Sequence, residues 1–117
     1  MSFTVVKETT DFLWVITKQL ERIDAAASNI DFSSRHNLRN TLLKYVMAVR
    51  TLYVDVSAVV DVPDFSKVLD DMMLSLLDGN GKALDIIKAL EEIRRTILRR
   101  LKEENLLYRV SSIGVST

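Results

Sequence analysis

Apolar residues along this chain recur at steps of three and four, the period of one helical face, in four successive runs. Phe12, Leu13, Ile16, Leu20, Ile23 and Ala27 form the first. Thr9 or Thr10 offers a hydroxyl to cap it, and Asp11 complements the positive end of the helix dipole. The spacing therefore predicts a first helix from Thr9 or Thr10 to Ser28 and Asn29. Val5 and Val6 either carry that face backwards or form a short strand.

The second run follows the capping residue types at 31–34. Leu38, Leu42, Tyr45, Val46, Val49, Leu52, Tyr53, Val56, Val59 and Val60 keep the helical step for about six turns. Over the same stretch Leu52, Val54, Val56, Ala58, Val60 and Val62 also alternate at the strand period. A strand would need partners, and only residues 3–6 and 106–110 offer them. The unbroken stripe from Leu38 favours a helix, with an α+β arrangement as the alternative.

Pro63 punctuates the chain. It fits just inside a helix capped by Asp61 or just before one capped by Asp64. Phe65, Val68, Leu69, Met72, Met73, Leu76 and Leu77 give this short third helix its apolar face, with the two methionines as core filling. Asp78-Gly79-Asn80-Gly81 is the strongest turn signal in the sequence, because Gly and Asn tolerate positive φ. A fourth helix is expected over 82–105, with Ala83, Ile86, Ile87, Leu90, Ile93, Ile97 and Leu101 inward. Amphipathic helices joined by short links bury their stripes best as a bundle. The expected fold is all-α: an uneven four-helix bundle over residues 1–105, with a short third helix and a flexible C-terminal tail over 106–117, loosest at Ser111, Ser112 and Gly114.

Composition narrows the picture. With 117 residues the chain suits one domain. It has no Cys, which removes disulfides, thiolate metal sites and a cysteine nucleophile. At 48% hydrophobic it is too apolar for disorder, and three Gly and one Pro are few for the turns of an all-β domain. Neither a secretory leader nor a membrane span is visible, since the longest apolar stretch, 42–62, is interrupted by Lys44, Arg50, Asp55 and Asp61. A cytoplasmic protein with no membrane contact is the expectation.

Charge is neutral only in sum. Sixteen basic and sixteen acidic residues cancel, yet residues 61–80 hold one basic and five acidic groups while 81–117 hold eight basic and five acidic. Lys88, Arg95, Arg99 and Lys102 fall on one outward stripe of the fourth helix, beside Glu91 and Glu92. Such a stripe can grip phosphates of RNA or DNA, or simply be a solvated face with cations near the helix C-terminus. No aromatic platform accompanies it.

Sites for chemistry are sparse. The single His36 lacks the Glu three residues before it that a di-iron bundle needs, and no metal or cofactor is expected. The Asp78 turn departs from a calcium loop, with Ala83 in place of the glycine and Ala89 in place of the bidentate Glu. Ser33-Ser34-Arg35-His36-Asn37-Leu38-Arg39-Asn40-Thr41-Leu42 resembles the phosphoacceptor box of sensor histidine kinases. That resemblance covers about eight residues and has no nucleotide-binding domain beside it. It implies a stand-alone phosphotransfer bundle with His36 as phosphoacceptor. The alternative is an exposed polar start to the second helix.

Several residues point to interfaces. Trp14 lies nearly opposite the apolar face of the first helix, and Leu74 is off the stripe of the third. Leu106, Leu107 and Tyr108 make a sticky start to the tail. Arg94 falls inside the apolar stripe of the fourth helix, where it needs an Asp from another helix or a subunit boundary. Taken together the residues favour a non-enzymatic accessory or interaction protein. It would self-associate or bind a protein, with nucleic acid as a further partner through the fourth helix.

Overall fold

A computed structural model describes residues 2–104 and Leu106, with side chains from residue 11 onward. Four helices and no strand occur among the described residues: α1 (Ser2–Ser28), α2 (Arg35–Ser57), α3 (Ser66–Asp78) and α4 (Ala83–Glu103). The all-α expectation holds, and the segment from Leu52 is helical as far as Ser57. Residues 107–117, which include Leu107, Tyr108 and the expected flexible tail, lie outside the described residues, whereas Leu106 packs against the core.

α1 begins earlier than the threonines suggest. It starts at Ser2, so Thr9 and Thr10 are interior residues and Val5 and Val6 belong to the helix. The valines extend the same period backwards, and no strand occurs among the described residues to pair with them. α2 starts where the capping residues place it. The Ser34 hydroxyl accepts from the Asn37 amide at 3.1 Å. The preceding loop is tied down as well: Asp31 Oδ1 accepts from the Ser33 amide at 2.8 Å, and the Asp31 amide donates to Thr41 Oγ1 at 3.1 Å. α2 stops short of the expected end, with Ala58 as its cap. Val60 is still buried, while Val59 is 60% exposed.

The corner between α2 and α3 is built on Asp64. Its Oδ1 accepts from the Ser66 amide at 3.0 Å and from the Tyr53 hydroxyl at 3.2 Å, and the Tyr53 and Phe65 rings meet edge to face at 5.8 Å. Pro63 therefore precedes the helix rather than lying inside it. At the other end, Gly79 adopts φ 75°. The Asn80 amide reaches back to the Ser75 carbonyl (2.9 Å) and the Gly79 amide to that of Leu76 (3.2 Å). This is the paired closure of a Schellman motif, which requires a left-handed residue.

α2 is the hub. It packs against α1, α3 and α4, and no other pair of helices packs comparably. Its stripe of Leu42, Val46, Val49, Leu52 and Val56 is almost wholly buried, facing Ile16 and Ile23 of α1, Leu69 of α3 and Leu90 and Ile97 of α4 within one core. The short links make α1 and α3 antiparallel to α2, so α4 runs parallel to it. The N-termini of α2 and α4 thus share one end of the molecule. With three helices arranged around α2, no described residue outside α2 lies over its fourth side. The result is elongated and thin, 52 × 30 × 20 Å. α3 is covered on one flank only, which leaves Val68 and Leu77, both expected inward, at 40% and 57% exposure.

Candidate interaction surfaces

The uncovered side of α2 carries Leu43, Met47, Arg50 and Val54 at helical spacing, with Met47 and Val54 more than half exposed. α3 lies beside this row. Arg50 reaches Asp70 at 3.4 Å and Met73 Sδ at 3.7 Å. In an antiparallel pair that register brings Leu77 alongside Leu43 and Met47. Leu74 is 59% exposed on the same helix, as its position off the stripe implies. The surface is thus apolar in the middle, with Lys44 and Arg50 on α2 and Asp70 and Asp71 on α3. The sequence signals only Leu74. Met47 and Leu77 become surface residues because no helix lies over that side.

Trp14 is 63% exposed on the outer face of α1, and Lys18 Nζ sits 5.5 Å from its ring centroid. A cation over an exposed indole contributes modestly.

The α4 stripe is laid out as its spacing predicts. Lys88, Arg95, Arg99 and Lys102 are all exposed. Two of them are answered on their own helix, Arg95 by Glu92 at 2.5 Å and Arg99 by Glu103 at 3.9 Å. With Glu91 also exposed, the stripe presents mixed charge rather than a continuous cationic track. Arg94 is held by an Asp of another helix, Asp24 of α1, at 2.6 Å. Arg100, which the sequence does not single out, donates to the Asp61 carbonyl at 2.7 Å and pairs with Glu103 and Glu104, pinning α4 to the α2–α3 link.

Comparison with known proteins gives no match: no family model, no curated protein and no solved structure is similar to the chain.

His36 stands exposed in the first turn of α2. Its Nδ1 lies 3.4 Å from Arg39 Nη2 and its Nε2 3.1 Å from Asn40 Nδ2. A guanidinium only donates, so Nδ1 accepts. A neutral ring then carries its proton on Nε2, which requires the Asn40 carboxamide turned oxygen-inward. Both ring nitrogens are thereby occupied by neighbours one turn away. Beside this ring a groove of about 590 Å³ opens between the start of α2 and the α3–α4 turn, lined by Arg35, His36, Leu38, Arg39, Leu42, Leu76, Gly79, Gly81 and Ala83. A Cβ at Gly81 would meet the tip of the Ile86 side chain, Cδ1, at 2.7 Å and displace it. Among the described residues no three His, Asp or Glu side chains converge as a metal site would need. No described helix is long and apolar enough to cross a membrane.

Proposed function

We propose that this chain is a non-enzymatic interaction module that self-associates through the uncovered side of α2 and the adjoining flank of α3. The observation that carries this is the joint exposure of Met47, Leu74 and Leu77, each more than half open, on a side that no helix among the described residues covers. A second copy is the occupant that the charges suit best. Across a two-fold axis, α2 of one protomer meets α3 of the other, so Lys44 of each copy approaches the solvent-exposed Arg50–Asp70 pair of its partner from the Asp70 side. Two other readings have weaker support. Glutamates neutralise half of the α4 stripe, which lowers its attraction for RNA or DNA. Phosphotransfer through His36 would first have to free a ring nitrogen from Arg39 or Asn40.

Sedimentation velocity tests the proposal. A dimer is expected at concentrations on the order of 100 μM. Met47→Glu with Leu77→Glu should yield a monomer of unchanged helicity, because both side chains are exposed. A single monomer peak for the unmodified chain at the highest concentration would sink the idea.

A further inference from the structure

We propose that the groove between the starts of α2 and α4 binds an organic phosphate monoester. Its volume, about 590 Å³, lies in the range of small-molecule pockets. Two arginines line it. Arg50, Arg94, Arg95, Arg99 and Arg100 each have a carboxylate within 4.0 Å. Among the described residues Arg22, Arg35 and Arg39 have none, and the last two line the groove together.

Their position sharpens the point. Both guanidinium groups sit at the start of α2, the positive end of its dipole, and the first turn of that helix holds no acidic residue. Cations there oppose helix stability. Asp31, just before the helix, spends its acceptors on Ser33 and Asn37 rather than on either arginine, which leaves both guanidinium groups without a carboxylate. α4 begins at the same end with Lys82 as its N-cap, which supplies no side-chain cap, and with Asp85 in its first turn. The opposing charge nearby, Asp78 and the carbonyl end of α3, forms no ion pair with either arginine.

The rest of the groove selects what the anion is attached to. Leu38, Leu42 and Leu76 supply an apolar wall, and Gly79 and Gly81 bring bare backbone to the rim. Guanidinium forks match phosphate oxygens two at a time. The phosphate therefore sits against Arg35 and Arg39, and its apolar or planar substituent lies against the leucines. Nothing in this placement uses the α2–α3 surface, so it stands whether or not the chain dimerises.

Titration of the ¹⁵N-labelled protein at low salt with phenyl phosphate, inorganic phosphate and benzyl alcohol tests it. Saturable shifts of the Gly79 and Gly81 amides are expected with phenyl phosphate, with weaker binding of inorganic phosphate and none of benzyl alcohol. Arg35→Gln with Arg39→Gln should lower the affinity at least about tenfold, as loss of charge-assisted hydrogen bonds does, with an unchanged circular dichroism spectrum. The single Arg35→Gln variant should fall between. Absence of saturable shifts, or equal binding by the double variant, overturns the proposal. Equal affinity for inorganic and phenyl phosphate overturns the role of the leucine wall.

Discussion

Arg94 Nη1 lies 2.6 Å from Asp24 Oδ1, an ion pair that joins α4 to α1 although neither helix packs extensively on the other. Asp24 is 60% exposed and Arg94 28%, so water screens the pair strongly. Asp24→Asn should cost about 0.5 kcal/mol and less at high salt. Arg94→Ala should cost more, about 1–2 kcal/mol, because the aliphatic stem of Arg94 covers the edge of the core as well. Urea unfolding at two salt concentrations separates the two contributions. Equal costs for both variants would leave the stem no packing role.

Gln19 is the buried polar residue between α1 and α2, 5% exposed. Its Nε2 donates to Asp55 Oδ2, while its Oε1 has no partner. An orphaned buried acceptor is destabilising, and Asp55, half-buried, keeps access to water. Gln19→Leu should therefore raise stability by about 1 kcal/mol, read as a higher urea midpoint. A lower midpoint would show that the Asp55 hydrogen bond outweighs the orphaned oxygen.

Gly79 isolates a pure backbone effect. Its φ is 75°, and a Cβ placed there meets nothing within 4 Å. Gly79→Ala should cost about 1–2 kcal/mol from left-handed strain alone, and Gly79→Asn less. Thermal unfolding of the pair checks the order.

Acid should weaken the fold through two carboxylates, half-buried Asp31 and exposed Asp64. The hydroxyl and amide of Ser33 hold Asp31 below its usual 3.8, and the amide of Ser66, with its hydroxyl and that of Tyr53, does the same for Asp64. A depressed carboxyl stabilises the folded state above its unfolded value, and that contribution disappears as pH falls through the folded one. Stability should thus drop below pH ~4. Asp31→Asn with Asp64→Asn should flatten this part of the pH profile, measured by urea midpoints from pH 2 to 6.

Burying Leu52 completely makes α2 sensitive to truncation. Leu52→Ala should cost about 3 kcal/mol, against under 1 kcal/mol for exposed Met47→Ala. Chemical denaturation of both variants measures the contrast.

The α2 stripe and the Gly79 turn were legible in the sequence because local rules decide them: helical period for one, positive φ for the other. Arg94 was legible too, since an arginine on an apolar stripe demands a partner whichever helix provides it. Val59, Val68 and Leu77 were not. Their period is right, but exposure depends on where the neighbouring helix stops or how much of the flank it covers. The same holds for Met47, for the buried Gln19 and for Arg100, whose roles follow from which elements lie opposite them. The groove was not legible, although one of its walls is the segment from Arg35 to Leu42 that the His36 resemblance singles out. Its other wall comes from the Gly79 turn, about forty residues away in sequence.

One consequence follows from α2 being the only helix on which α1 packs broadly. In a domain exchange α1 would take the same seat on the α2 of another copy, keeping its core contacts and, because α4 packs on that same α2, its Asp24–Arg94 pair. The link at 29–34 is then a hinge, and extending it would favour the monomer while shortening it would drive domain exchange.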